Sequence, residues 1–114
     1  MGGTSEVHQK PMNSSETVDL TVARIDAAFD EATRRAGQGV DPRIERELDS
    51  LARRLCALLR GRACALVRDA IEFAKRVMEA ADPEAPLLML RLARDNLMRE
   101  LRRQVMAMPA APAL

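Results

Sequence analysis

Apolar residues recur along this chain at helical spacing in three stretches separated by proline and glycine. In the first, Val18, Val22, Ile25, Phe29, Ala32 and Ala36 alternate steps of four and three. That is the narrow seam of a helix packed near-antiparallel on a neighbour. Asn13 followed by Glu16 fits an N-cap with its N3 carboxylate, and Gly37-Gln-Gly39 fits a helix stop. A helix is therefore expected over about 14–36. Asp41-Pro42 is a second start signal, an N-cap followed by proline at the first helical position. From there Ile44, Leu48, Leu51, Leu55, Leu59, Ala63, Leu66, Ala70, Ala74, Val77 and Ala81 step by three or four without an intervening proline. The third stretch opens around Pro83–Pro86 and carries Leu90, Ala93, Leu97, Leu101, Val105 and Met108.

The middle stretch holds one ambiguity, at Gly61. A single glycine costs a helix only about 1 kcal/mol relative to alanine, so it does not force a break. No proline and no Asn, Asp or Ser cluster accompanies it in Leu59-Arg-Gly-Arg-Ala63. The pattern thus favours one long helix over about 42–81, followed by a helix over about 84–106. The apolar arc is narrow before Gly61, centred on Leu51 and Leu55, and wider after it. About forty residues at 1.5 Å each make a rod of about 60 Å, longer than a compact domain of this size. Short loops on either side let each neighbouring helix cover only half of it. The residues left to a second copy are Leu66, Val67, Ala70, Ile71, Phe73, Ala74, Val77 and Met78. A homodimer follows as the expectation. The alternative is a four-helix monomer broken at Gly61.

Composition agrees with an all-α helical bundle. The chain has 114 residues, two Phe and no Tyr or Trp, so its core draws on Leu, Ala, Val, Ile and Met. Strands favour the β-branched and aromatic residues that are scarce here. One helical domain over 14–107 is expected, between a disordered leader (1–13) and a disordered tail (108–114). The leader lacks the apolar core of a signal peptide, and the unbroken apolar run at 85–90 is too short to span a membrane. Cys56 and Cys64, about 12 Å apart along a continuous helix, are too distant to bridge. Free thiols and a cytoplasmic location are the expectation.

Charge and chemistry narrow the picture further. The formal net charge is +1, with nearly all basic residues arginine. That balance, and the lack of aromatics for base stacking, set nucleic acid aside as an expected partner. The acid-free run of Arg53, Arg54, Arg60, Arg62 and Arg68 keeps a DNA-associated regulator open as an alternative. His8 is the only histidine and lies in the leader, so Ser–His or Cys–His catalysis is absent. No catalytic residue, metal site or cofactor is expected. Two arginines fall on or beside apolar arcs, Arg62 with Asp69 as a plausible local partner, and Arg94 between Leu87, Leu97 and Leu101. Each is either an anion anchor or a side chain whose stem packs while its head meets a carboxylate. An Arg-lined anionic-ligand site, or a His-free helical enzyme, is thus a second alternative to a non-catalytic protein acting by protein–protein contact. Helix 14–36 offers Glu16, Asp19, Asp26 and Asp30 on one flank, complementary to Arg91, Arg99, Arg102 and Arg103 on the last helix.

Leu58-Leu-Arg-Gly61, the acidic Asp82–Pro86 turn and the Arg-rich Arg91–Arg103 helix together resemble a family of small actinobacterial proteins labelled as natural-product biosynthesis proteins. The likeness covers about residues 48–103. Arg62 stands where those proteins carry His, and Ala85 where they carry Val. The family has no established activity, so the resemblance implies a helical fold and a bacterial source alone.

Overall fold

The computed structural model describes residues 14–107. They form four helices: α1 (Ser14–Arg34), α2 (Pro42–Leu58), α3 (Ala63–Glu79) and α4 (Glu84–Ala107). The protein is an all-α bundle, and no described helix is long and apolar enough to cross a membrane. The leader and tail expected at 1–13 and 108–114 lie outside the described residues.

Helix α1 buries the seam read from its spacing. Val18, Ile25, Phe29 and Ala32 are fully enclosed, and Val22 is half-buried. Helix α2 begins as its signals dictate. Asp41 is the N-cap, its Oδ1 accepts the Arg43 N–H at 2.9 Å, and Pro42 follows. Its narrow arc of Ile44, Leu48, Leu51 and Leu55 faces the core.

The expected long helix is broken at Gly61. Helix α2 ends at Leu58, and Leu59, at φ −116° and ψ 165°, turns the backbone out of the helix. Gly61 takes φ +65°, a left-handed conformation open to glycine without the strain a side chain would meet. Arg62 sits at the N-cap of α3 with no side-chain capping bond. Nothing local at this start competes with helix continuation, so the three-and-four spacing runs through the break and only the widening of the apolar arc at Gly61 marks it. Tertiary burial decides it. Folding α3 back encloses Val67, Ile71, Val77 and Met78 within one chain. At about 1.5–3 kcal/mol per large side chain, that is about 6–12 kcal/mol, several times the cost of interrupting the helix once.

Helix α3 consequently packs along α4 and against α2 and α1. Of the eight residues offered to a second copy, Val67, Ala70, Ile71, Ala74, Val77 and Met78 are buried inside the chain, and Leu66 and Phe73 are half-buried. The surface expected to drive dimerisation is the core of a single chain.

Gly37 and Gly39 do more than stop α1. The Gly37 N–H donates to the Val77 carbonyl at 2.9 Å, and the Gly39 N–H to the Met78 carbonyl at 2.7 Å. These are end-of-helix carbonyls that α3 cannot satisfy itself. Both glycines have positive φ, so the α1–α2 loop caps α3 with a backbone shape that side chains resist. Salt bridges tie the same elements together. Lys75 on α3 reaches Asp49 (3.1 Å) and Glu45 (3.7 Å) on α2, and Arg35 reaches Asp41 at 3.2 Å. The described body measures 55 × 36 × 17 Å, a plate more than a sphere, with α4 along α3 and only lightly in contact with α1.

Candidate interaction surface and the α2–α3 turn

Arg94 projects from α4 between two carboxylates of α1. Its Nε donates to Asp26 Oδ1 at 2.6 Å and its Nη1 to Asp30 Oδ1 at 3.0 Å. The bond to Asp26, together with the two negative charges, holds the guanidinium pKa above its ordinary value. Two carboxylates around one guanidinium leave a local excess of negative charge. Arg94 is therefore the clasp between α1 and α4, and an anion would meet repulsion there. Asp26 and Asp30 of the acidic α1 flank are thus met by Arg94 and not by the arginine flank expected to face them; Arg99 and Arg103 bond to Asn96 and Glu100 within α4 instead.

Arg62 is exposed at the start of α3 and makes no ion pair with Asp69. Its charge acts instead on Glu100 of α4. The structure does not bring Arg62 and Arg94 to a common site. Arg53, Arg54, Arg60 and Arg68 are exposed as well.

Around Glu100 lies a polar cluster that the spacing did not single out. Arg103 Nε donates to Glu100 Oε1 at 3.1 Å, its second nitrogen to Oε2, and Gln104 Nε2 to Oε2 at 2.9 Å. Gln104 also grips the turn. Its Oε1 accepts the Arg60 N–H at 3.2 Å, and its Nε2 donates to the Arg60 carbonyl at 2.7 Å. The end of α4 thus satisfies both backbone groups of Arg60 where the helical ladder has stopped. The i, i+3, i+4 grouping of Glu100, Arg103 and Gln104 was legible as a local set. Its contact with a residue 44 positions away was not.

The bonds from Arg103 and Gln104, with the nearby Arg62 charge, hold the Glu100 carboxyl down from 4.5 to about 2. A carboxylate with a lowered folded pKa binds its proton first in the unfolded chain. Its stabilisation is complete above about 4.5 and drains away as pH falls towards 2. In thermal melts across that window, Glu100→Gln is expected to flatten the acid-side decline of the wild type. An unchanged slope would place the acid sensitivity elsewhere.

Cys56 and Cys64 flank the turn and are joined by a disulfide, with Cα atoms 4.9 Å apart. Both had been expected as free thiols. That expectation rested on a continuous helix, and the break brings the two residues together. The bridge, Gly61 and the Gln104 clamp are the three restraints on the turn.

The outer side of α4 carries the largest exposed apolar side chains that lie together. Leu88 is 56% exposed, Leu92 52% and Met89 41%. Helical spacing puts Leu88 and Leu92 one turn apart, with Met89 beside them. Arg91 and Asp95 on the flank form no ion pair with each other. A cleft of about 370 Å³ lies between α1 and α2. Arg24, Arg35 and Arg43 line it, but so do Glu31 and Glu47. Glu31 and Asp41 already engage Arg35, so the cleft offers no concentrated positive charge to select an anion. Among the described residues no group of His, Cys, Asp or Glu is arranged to hold a metal ion. No protein-family model matches the chain, and no curated protein or solved structure matches it either.

Proposed function

We propose that this is a small non-catalytic helical protein that works by protein–protein contact, self-associating through the outer face of α4. The observation that carries the reading is the exposure of Leu88, Met89 and Leu92 on a helix already satisfied by α3 on its inner side. Association is a direct way to remove such a patch from water.

The face is complementary to itself. Beside Leu88 and Leu92 the exposed face carries both signs of charge, Arg91 and Arg99 with Glu84 and Asp95, so an antiparallel pair of α4 helices can set basic residues of one copy against acidic residues of the other. Symmetry repeats each pairing. The charges set register and the leucines supply the burial. A single helix pair is smaller than a standard stable interface, so the dimer belongs to the weak, concentration-dependent class. The cytoplasmic setting expected from free thiols loses that support, because the cysteines are bridged. A bridge of this kind suits an oxidising compartment, or a reducing one in which it is transient.

Sedimentation tests the reading. The oxidised wild type is expected to show a concentration-dependent rise towards twice its 12.6 kDa mass. Leu88→Glu with Leu92→Glu is expected to abolish that rise while leaving helix content unchanged. A wild type that stays a single chain, or a double variant that still associates, would remove the α4 face from consideration.

A further inference from the structure

We propose that the α2–α3 turn is a disulfide-locked hinge, and that reducing Cys56–Cys64 lets α2 and α3 join into one continuous helix whose α3–α4 half packs on a second copy of this chain. Bridge and continuous helix exclude each other. Eight residues of α-helix separate Cα atoms by about 12 Å, whereas the bridge holds these two at 4.9 Å. The oxidised chain is confined to the hairpin.

The sequence across the turn is suited to both states. Apolar residues keep helical spacing through Leu55, Leu59, Ala63 and Leu66, and no proline falls between Pro42 and Pro83. No side chain caps the start of α3, so nothing local is lost when the helix runs through. What holds the hairpin apart from the bridge is Gly61 in its left-handed conformation and the clasp of Gln104 on Arg60. Both are solvent-facing restraints on a short turn. Short hinge loops of this kind are where helical domains exchange elements.

Opening alone would expose Val67, Ile71, Val77 and Met78, which one chain cannot cover in the extended form. Exchange resolves this. Each contact that α3 and α4 make with α1 and α2 in the closed chain is remade between two chains, and Leu59–Arg62 gain helical hydrogen bonds. The price is the entropy of association, so the open form grows with concentration.

The chemistry is ordinary thiol–disulfide exchange. A thiolate of a low-molecular-weight thiol or dithiol reductant attacks one cysteine sulfur, forming a mixed disulfide and releasing the other cysteine as a thiolate. A second reductant thiolate displaces the first. Two electrons and two protons arrive at the protein as two thiols, and the reductant leaves as its disulfide. Both cysteines are half-buried, which leaves the bridge within reach of a small reductant.

The experiment uses the full chain carrying Leu88→Glu and Leu92→Glu, so that association through α4 does not contribute. Sedimentation and X-ray scattering are measured at high micromolar concentration, oxidised and then with dithiothreitol. The oxidised form is expected at 12.6 kDa. The reduced form is expected at twice that mass, with a longest dimension beyond the 55 Å of the closed body and no loss of helix. Arg60→Pro gives up the Arg60 N–H to Gln104 but keeps the Arg60 carbonyl for it, follows the extended Leu59 and blocks a continuous helix, so it is expected to stay a single chain when reduced. Unchanged mass on reduction, loss of helix content, or equal doubling in Arg60→Pro would each overturn the hinge. Failure of the α4 reading shows separately, as oxidised wild type that never associates.

Discussion

Replacing Phe29 with alanine is expected to lower the unfolding free energy by about 3–5 kcal/mol, the range for removing a fully enclosed aromatic ring. Phe29 is 0% exposed and is the only aromatic side chain in the buried core. It lies on the α1 seam with Ile25 and Ala32, in the cluster that α2 and α3 also enter. The cavity left behind adds to the lost transfer energy. A domain of this size holds about 5–15 kcal/mol in total, so one substitution removes a large share. Thermal unfolding followed by circular dichroism should show a fall of more than about 12 °C. Phe73→Ala is the matched control. That ring is half-buried beneath the Arg76 guanidinium, 5.5 Å from its centroid, and its loss should cost well under half as much. Equal effects would mean that the enclosed seam of α1 does not carry the core.

Substituting Cys56 and Cys64 together by serine is expected to cost about 2.5 kcal/mol, from the conformational freedom returned to an unfolded chain that the bridge had closed into a short loop. The measurement is denaturant unfolding of the oxidised wild type and the double variant, at concentrations low enough to keep both as single chains. The denaturant slope of the variant should rise slightly, because its unfolded state is less compact. A difference under about 0.5 kcal/mol would show that Gly61 and the Gln104 clamp hold the turn without help, and would make the bridge energetically idle. The Cys56–Cys64 loop is short, so its entropic contribution is modest, yet it acts at the one place where the backbone has a helical alternative.

These two expectations fall on different sides of what was legible in the residues. The seam Val18–Val22–Ile25–Phe29–Ala32 repeats with the period of one helix, and the repeat alone identifies its buried face. Arg94 was conspicuous on an apolar arc for the same reason, and Asp26 and Asp30 belonged with Glu16 and Asp19 to one acidic flank of the first helix. Their meeting across 64 and 68 residues could not be read from spacing, because periodicity orders side chains around one axis and says nothing of the angle between axes. Gln104 is the sharper case. A glutamine near the end of an Arg-rich helix carries no signal of its own, and its role arises from the Arg60 peptide placed beside it.

The residues by themselves determined the helical class, the start of α2 at Asp41-Pro42 and the buried seams of α1 and of α4 through Leu90, Ala93, Leu97 and Leu101. These follow from short-range geometry, where capping and a 3.6-residue period act within a few positions. Tertiary structure alone decided the break at Gly61, the pairing of Cys56 with Cys64 and the enclosure of the wide α3 arc in a single chain. The local preference at Gly61 is worth about 1 kcal/mol, and the burial gained by folding α3 back is several times larger. Where local terms are that weak, the cheapest way to cover apolar surface chooses the backbone, and that choice belongs to the whole fold.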